Sequence, residues 1–380
     1  MKALVLGGAG AMCSETTRDL VNTSNLTEIT IGDVDEAKAK RLAAELKDKR
    51  VSVLQINVLN WEKLLDTLKQ FDVVVNGLPF KYDVVVTKAA IEAQIDGIDL
   101  SSSAEQLALD PQAKKAGITF VMGCGQTPGV TNVMVRRAAT QLDQVHEVQI
   151  AWASYRCFAP ARGLVDTTLW EFDPDTKERA IYQDGKYISQ PPFGGAKIVN
   201  FPKPYGPLEV YYVPHPESET IPRYMKEVKK VEVRGTWPPQ VMRLLRMMLE
   251  YGLFRKEPIK INGTSISPSE MFAQYIMQVP EGKANRLWGY ALHVEVTGAK
   301  DGSGVKYTYT TTHPPMEQYG GTTAYAKNVG IPLSVGAQML ARGDVKEKGV
   351  LSPEACIDPT IFFAELAKRG IIVHEKLEAL

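Results

Sequence analysis

Short runs of Val, Ile and Leu, separated by helix-length stretches, organise the first 125 residues of this chain. Strand-length apolar runs lie at 2–6, 28–31, 52–56, 72–75, 97–100 and 119–122, and amphipathic segments at 14–21, 36–46, 61–68, 84–93 and 104–115. Uninterrupted aliphatic runs mark strands buried on both faces, and their alternation with helices predicts parallel βαβ units. Right-handed crossovers then close these units into a doubly wound α/β sheet.

The texture changes near residue 145. A strand is expected at 147–152, followed by a Pro- and Gly-rich tract that includes Pro160, Pro191-Pro192, Gly194-Gly195 and 202–207. Further strands are expected at 208–213 and 228–233, and an amphipathic helix at 239–251. A hairpin is expected from 289–297 and 305–312, joined by 298–304 with its Asp301-Gly302 pair. This is an α+β region with an antiparallel sheet, suited to substrate binding and dimerisation. From 322 the pattern turns helical: 324–342, a helix start at Ser352-Pro353-Glu354, and 359–369 stopped by Gly370. These helices are expected to return and pack on the first domain. The division predicted is 1–125, 126–321 and 322–380.

Composition narrows the function. Forty-four basic residues balance forty-four acidic ones, which argues against nucleic acid or an anionic membrane as partner. No apolar run approaches the roughly 20 residues that span a bilayer, and Met1-Lys2 leads straight into a strand, so a cytoplasmic protein is expected. Cys13, Cys124, Cys157 and Cys356 are scattered and read as reduced thiols. The five histidines lie at no metal-ligand spacing, so no metal is expected. A small molecule is the expected partner.

The first strand ends in Leu6-Gly7-Gly8-Ala9-Gly10-Ala11-Met12-Cys13. Gly8 and Gly10 match the first two glycines of a dinucleotide loop, and the helix that follows points its free N–H groups at the phosphates. Ala11 and Met12 open that helix, and Cys13 stands where the third glycine or alanine belongs. Asp33 ends the second strand, 23 residues after Gly10. A carboxylate there accepts from ribose hydroxyls and repels a 2′-phosphate, so with Val34 beside it NAD is expected over NADP. Asp33 or Asp35 also fits a cap for the next helix, Asp35 the better placed. Ligands lie beyond the carboxyl ends of parallel strands. That places Asn57 and Val58 near the adenine, Gly77, Leu78 and Pro79 by the pyrophosphate and nicotinamide ribose, and Ser101 and Gly125 near the nicotinamide. Solvated turns are the alternative.

The segment Gly123-Cys124-Gly125-Gln126-Thr127-Pro128-Gly129-Val130-Thr131-Asn132 resembles the joint between the two domains of the saccharopine dehydrogenase family. Tyr205–Glu209, Glu217–Arg223, Thr322–Tyr325, Gln338–Leu340, Gly349–Glu354 and the stretch from Leu366 to Ile371 resemble segments of its lysine 6-dehydrogenase members. The resemblance implies an oxidoreductase acting on the C–N bond of an amino acid, such as oxidative deamination of the lysine ε-amine, in a homodimer or homotetramer. A saccharopine- or carboxy-polyamine-forming dehydrogenase is the alternative. The family's Arg-Tyr and His are absent from Arg234-Gly235-Thr236-Trp237-Pro238-Pro239-Gln240, so a cofactor-binding sensor without turnover is also open. The chemistry needs a clamp for the substrate carboxylate and an acceptor for the amine proton. Arg156, Arg162, Arg223 and Arg234 are the clamp candidates, Arg234 occupying the family's basic position. Glu217, Glu219, Asp166, His215 and Tyr155 are candidate bases. Glu217, Tyr155, Arg234 and Thr236 are the catalytic set predicted.

Overall fold

The computed structural model describes residues 1–159, 161–280, 289–320 and 323–380. Pro160 and the 321–322 junction, where the helical tail was expected to begin, lie outside them. The chain divides into two compact units. One comprises Met1–Gln141, Glu219–Tyr224 and Ala326–Val373, and the other Leu142–Ser218, Met225–Tyr325 and His374–Leu380.

The first unit is built from β1 (Lys2–Leu6), α1 (Cys13–Thr23), β2 (Glu28–Asp33), α2 (Glu36–Leu46), β3 (Val51–Gln55), α3 (Trp61–Leu68), β4 (Val73–Asn76), α4 (Asp83–Ala93), β5 (Asp96–Asp99), α5 (Ala104–Leu107), α6 (Asp110–Ala116), β6 (Thr119–Val121) and α7 (Val130–Ala139). The aliphatic runs read from the sequence form a parallel sheet in the order β3-β2-β1-β4-β5-β6. Leu4, Leu6, Val74, Phe120 and Met122 bury against Leu64, Leu68 and Val86 of the flanking helices, the burial that makes such runs favourable. Asp35 caps α2, its carboxylate accepting from Lys38 N at 2.9 Å. The single helix expected over 104–115 is broken instead. Pro111 lacks an N–H and fits the first turn of α6, not the middle of a longer helix.

The second unit carries β7 (Gln144–Tyr155), α8 (Arg162–Phe172), β8 (Ala180–Gln183), β9 (Lys186–Ser189), β10 (Lys197–Phe201), β11 (Gly206–Tyr212), α9 (Glu217–Tyr224, which runs on into the first unit), β12 (Lys230–Thr236), α10 (Pro239–Glu250), β13 (Ile259–Ile261), β14 (Thr264–Ile266), α11 (Pro268–Ile276), β15 (Gly289–Lys300), β16 (Ser303–Thr312) and α12 (Met316–Tyr319). Its large sheet is mixed, a departure from the antiparallel expectation. β7 lies between β12, to which it is parallel, and β15, to which it is antiparallel. β15 and β16 form the expected hairpin with a much tighter turn, because Asp301 (φ 50°) and Gly302 (φ 75°) both take the left-handed conformation of a two-residue loop.

The tail contains α13 (Ala324–Arg342), β17 (Gly349–Leu351), α14 (Pro353–Cys356), α15 (Pro359–Lys368) and β18 (Ile372–Ala379). It returns to the parallel-sheet unit as expected. Thr16 Oγ1 donates to Gly330 O of α13 at 2.9 Å, and Arg369 Nε donates to both Asp19 oxygens at 2.8 and 2.9 Å. It is not helical throughout: β17 adds a seventh parallel strand beside β6, and β18 lies next to β16.

Candidate active site

The topology places β1 at the turning point of the parallel sheet, with β2 on one side and β4 on the other, the place where such sheets open a crevice. Gly7 takes φ 66°, and Gly10 N donates back to Gly7 O at 2.7 Å, closing the tight turn after β1. A Cβ on Gly8 would lie 2.9 Å from Val5 O, and one on Gly10 2.9 Å from Gly7 O, so neither tolerates a side chain. Thr17 Oγ1 ties the loop to α1, donating to Gly8 O at 2.8 Å. Met12 caps α1 without a side-chain hydrogen bond, so no side chain of the cap competes for the first N–H groups of the helix. The missing third glycine has moved. Cys13 packs onto Gly77, where a Cβ would collide with the Cys13 side chain.

The other strand ends follow. Asp33 is half-buried at the end of β2, one oxygen accepting from Asp35 N at 3.1 Å, and Val34 beside it is exposed. Asn57 builds a turn by accepting from Leu59 N. Val58 is buried in the core, so its side chain offers nothing to an adenine. Leu78 N donates to Asn76 Oδ1 at 3.2 Å, which shapes the Gly77–Pro79 loop. After β6, Gly125 N donates to Pro128 O and Gly129 N to Asn132 Oδ1, folding the Gly123–Asn132 segment onto itself. Near it, the buried Ser102 hydroxyl and both polar atoms of the Gln126 amide have no hydrogen-bond partner among the described residues. A glycine cradle, an uncapped helix start and unpaired polar atoms past the strand ends fit a bound dinucleotide. Asp83 and Asp99, buried beneath these loops, were not singled out in the sequence.

In the mixed-sheet unit, successive residues of a strand face opposite ways. Ala151, Ala153 and Tyr155 of β7 share a core with Val199, Phe201 and Val210. Trp152, Ser154 and Arg156 take the other face. The parallel register sets Arg234 beside Ala151 and Thr236 beside Ala153. Three of the four predicted catalytic residues therefore lie on the Tyr155 face. Their chemistry is also committed there. Arg234 bonds Glu232, Gly195 O (2.7 Å) and Tyr212 Oη (2.8 Å) and stacks on the Tyr212 ring, so it is not free to clamp a carboxylate. The Tyr155 ring packs edge-on against Tyr205, and the Thr236 hydroxyl donates to Trp237 O.

Glu217 stands on the opposite face. Its carboxylate meets His215 Nδ1 at 3.0 Å, and the His215 ring lies 5.8 Å from that of Trp152. Trp237 packs edge-on against Trp152, and its Nε1 donates to Glu171 Oε2 at 2.7 Å. Gly235 makes this possible, since a side chain there would run into the Trp152 ring. Arg156 stacks over Trp237 at 4.4 Å and over Tyr325 at 5.4 Å. Its NH1 and NH2 groups donate to Cys157 O, Phe158 O, Leu164 O and Thr168 Oγ1. Trp152 Nε1, Ser154 Oγ and Arg156 Nε, three polar atoms in sequence on this face, are buried without a partner among the described residues. Burial pushes the Glu171 carboxyl up to about 7, although His215, the Trp237 bond, Arg156 and Arg179 all favour its charged form. Burial alone would depress His215, but the Glu217 and Glu171 carboxylates outweigh it and hold the ring's proton above its ordinary range.

The remaining candidates are spent elsewhere. Arg162 pairs with Asp166 and Glu270 at the surface, and Arg223 is exposed near Asp110. Sequence reasoning missed Glu171, because no helix was expected in the Pro- and Gly-rich tract after 152, where the helix Arg162–Phe172 forms. The signal was available, because Leu169 and Phe172 beside it are apolar and mark a buried helix.

The Saccharopine dehydrogenase NADP binding domain family matches residues 3–121, and the Saccharopine dehydrogenase C-terminal domain family matches 125–371. The chain is 25% identical to carboxyaminopropylagmatine dehydrogenase of Synechocystis sp., over 99% of this chain and 98% of that protein. It is 24% identical to carboxynorspermidine synthase of Vibrio cholerae, over 98% and 96%. Saccharopine dehydrogenase (NADP(+), L-glutamate-forming) of Saccharomyces cerevisiae is 21% identical over the full length of both chains. The solved apo structure of the Saccharomyces cerevisiae L-Glu-forming saccharopine dehydrogenase superposes with a TM-score of 0.70 at 17% identity, again over both full lengths, a likeness of fold. The glycine cradle lies within the first matched domain and most of the mixed-sheet unit within the second, and the chain belongs to the saccharopine dehydrogenase family, NAD(P)-dependent dehydrogenases of CH–NH or CH–NH2 bonds.

Proposed function

We propose that this chain makes or breaks a secondary C–N bond joining a carboxylate-bearing carbon chain to a second amine, using NAD. The observation that carries this is the Trp152 face of β7. Unpaired donors on Trp152 and Arg156, with the Ser154 hydroxyl between them, stand with the buried Glu171 and the His215–Glu217 pair. Unpaired N–H donors suit a carboxylate, whereas buried carboxylates among aromatic rings suit a cationic amine. A carboxy-polyamine presents both groups in one molecule. The names of the Synechocystis and Vibrio relatives support the same substrate class.

The dinucleotide, when bound, supplies the hydride acceptor or donor. Gly8, Gly10, Ala11 and Met12 hold its phosphates, and Asp33 with Val34 favours an unphosphorylated ribose. Asn57 lines the adenine side, while Gly77, Leu78, Pro79, Ser101 and Gly125 line the nicotinamide side. Glu217 with His215 takes the amine proton in the oxidative direction and returns it in the other. Glu171, its carboxyl pushed up to about 7 by burial, tunes the charge of that pair. Exposed Met247, Tyr251, Met271 and Tyr275 support a homodimer or homotetramer.

The test supplies NAD or NADP with carboxyaminopropylagmatine, carboxynorspermidine, saccharopine or L-lysine and follows the absorbance of reduced nicotinamide. Turnover of a carboxy-polyamine, faster with NAD, supports the proposal. Turnover of lysine with ammonia release replaces it with oxidative deamination. Cofactor binding without turnover of any of the four overturns it in favour of a sensor.

A further inference from the structure

Asp83 and Asp99 are two fully buried carboxylates in the parallel-sheet unit, and no lysine or arginine is among their partners in the described residues. Asp83 opens α4. Its Oδ1 accepts from Asn76 Nδ2 at 2.8 Å, and Asn76 Oδ1 in turn accepts from Leu78 N at 3.2 Å, which holds the loop after β4. Asp99 closes β5. Its Oδ1 accepts from Gly123 N at 2.7 Å and its backbone oxygen from Cys124 N at 2.8 Å, which holds the loop after β6. Ser101, in the loop after β5, bonds to both carboxylates. Gln106 Nε2 donates to Asp99 Oδ2 at 2.6 Å and to Thr87 Oγ1 at 3.1 Å, and Thr87 Oγ1 donates to Asp83 O at 2.8 Å.

One network therefore reaches the loops after β4, β5 and β6. None of its hydrogen bonds involves Gly7, Gly8 or Gly10, which cradle the phosphates. A carboxylate suits this task because its two oxygens accept from several N–H donors at once. Burial makes both carboxyls hold their protons more firmly, and the neighbouring Asp83 charge adds to the effect at Asp99. The groups facing them are the neutral Asn76, Thr87, Ser101 and Gln106 and the buried Cys124 thiol, which burial and Asp99 together push up.

We propose that Asp83 and Asp99 act as a pair of positioning residues, clamping the three strand-end loops into the geometry that receives the nicotinamide half of the cofactor. The inference rests on the family assignment, which provides a dinucleotide, and not on the choice of amine.

The experiment compares two ligands that differ only by the nicotinamide ring: ADP-ribose and NADH, or their 2′-phosphorylated counterparts where the wild-type protein binds NADPH more tightly. Affinities are measured by calorimetry for wild type, Asp99→Ala, Asp99→Asn and Asp83→Asn. The expected result for Asp99→Ala is a loss of about tenfold or more for the reduced cofactor, with ADP-ribose unchanged within about twofold. The asparagine variants, which keep an acceptor oxygen, recover most of the loss. Parallel losses for both ligands indicate a structural role alone and overturn the proposal, as does an unchanged affinity for the reduced cofactor. If Asp99→Ala does not fold, Asn76→Ala severs Asp83 from Leu78 and must show the same split between ligands. The readout uses no amine substrate, so its failure is separable from failure of the proposed reaction.

Discussion

The displaced glycine can be tested quantitatively. Gly77 N donates to Leu6 O at 2.9 Å, and β1 and β4 are registered through Leu6 and Asn76, so the backbone at Gly77 cannot slide away from α1. A Cβ there would sit 2.7 Å from Cys13 Cβ and closer still to its sulfur. Relief requires either moving the start of α1 or giving up the Leu6 bond. Overpacking a rigid contact costs about 1–3 kcal/mol and a lost backbone hydrogen bond about 1 more, so Gly77→Ala should destabilise the parallel-sheet unit by about 2–4 kcal/mol. For a unit of this size that lowers Tm by about 5–12 °C. Cys13→Gly alone loses a small buried side chain and some helix propensity, about 1 kcal/mol. The double variant restores the usual glycine pattern and removes the clash, so the two changes should couple favourably by about 1–3 kcal/mol. Thermal unfolding of the four proteins with and without NAD measures this, and strictly additive effects would falsify the exchange of glycine between positions 13 and 77.

Three further outcomes follow from the geometry. Asp33→Ala combined with Val34→Arg should shift the ratio of NAD to NADP affinity toward NADP by about tenfold or more, read by titration calorimetry; an unmoved ratio removes Asp33 from the ribose site. Trp237→Phe takes the Nε1 donor from the buried Glu171 and should lower stability by about 1–3 kcal/mol in denaturant unfolding. The third concerns pH. Folded Glu171 keeps its proton up to about 7, whereas the unfolded chain releases it near 4.5. The native state thus binds the extra proton, and stability falls as pH rises across that window. His215 acts in the same direction, because its raised affinity for a proton is a stability contribution present in acid and lost as pH climbs above the ordinary 6.5. Glu171→Gln should flatten the decline in unfolding free energy between pH 4.5 and about 7; an unchanged slope means that Glu171 is not the titrating group.

Several features were legible because their signals are local. The six aliphatic runs of the first domain became strands: five are mostly buried, where apolar residues are favoured on both faces, and β3 is the half-exposed edge strand. Asp301-Gly302 marked the hairpin, because few residue pairs accept two successive positive φ angles. Asp35 announced itself as a cap by its place before Glu36. The short β17 and the exposed β18 escaped notice. Three residues carry no periodicity, and β18 buries too little to show an apolar alternation.

By itself the sequence determined the parallel sheet, the glycine loop, the acid at the end of β2 and the family, since each depends on residues adjacent in the chain or on period alone. Tertiary structure decided which polar residues meet. β7 and β12 are buried on both faces, so no contrast between polar and apolar positions reveals which side Tyr155, Arg234 and Thr236 take. The parallel register between the two strands put them opposite Glu217. It also gathered Glu171, His215, Glu217 and Trp237, separated by up to 66 residues, around Trp152 and Arg156. Buried carboxylates such as Asp83 and Asp99 are indistinguishable in sequence from solvated ones, because only the folded surroundings set how firmly they hold a proton.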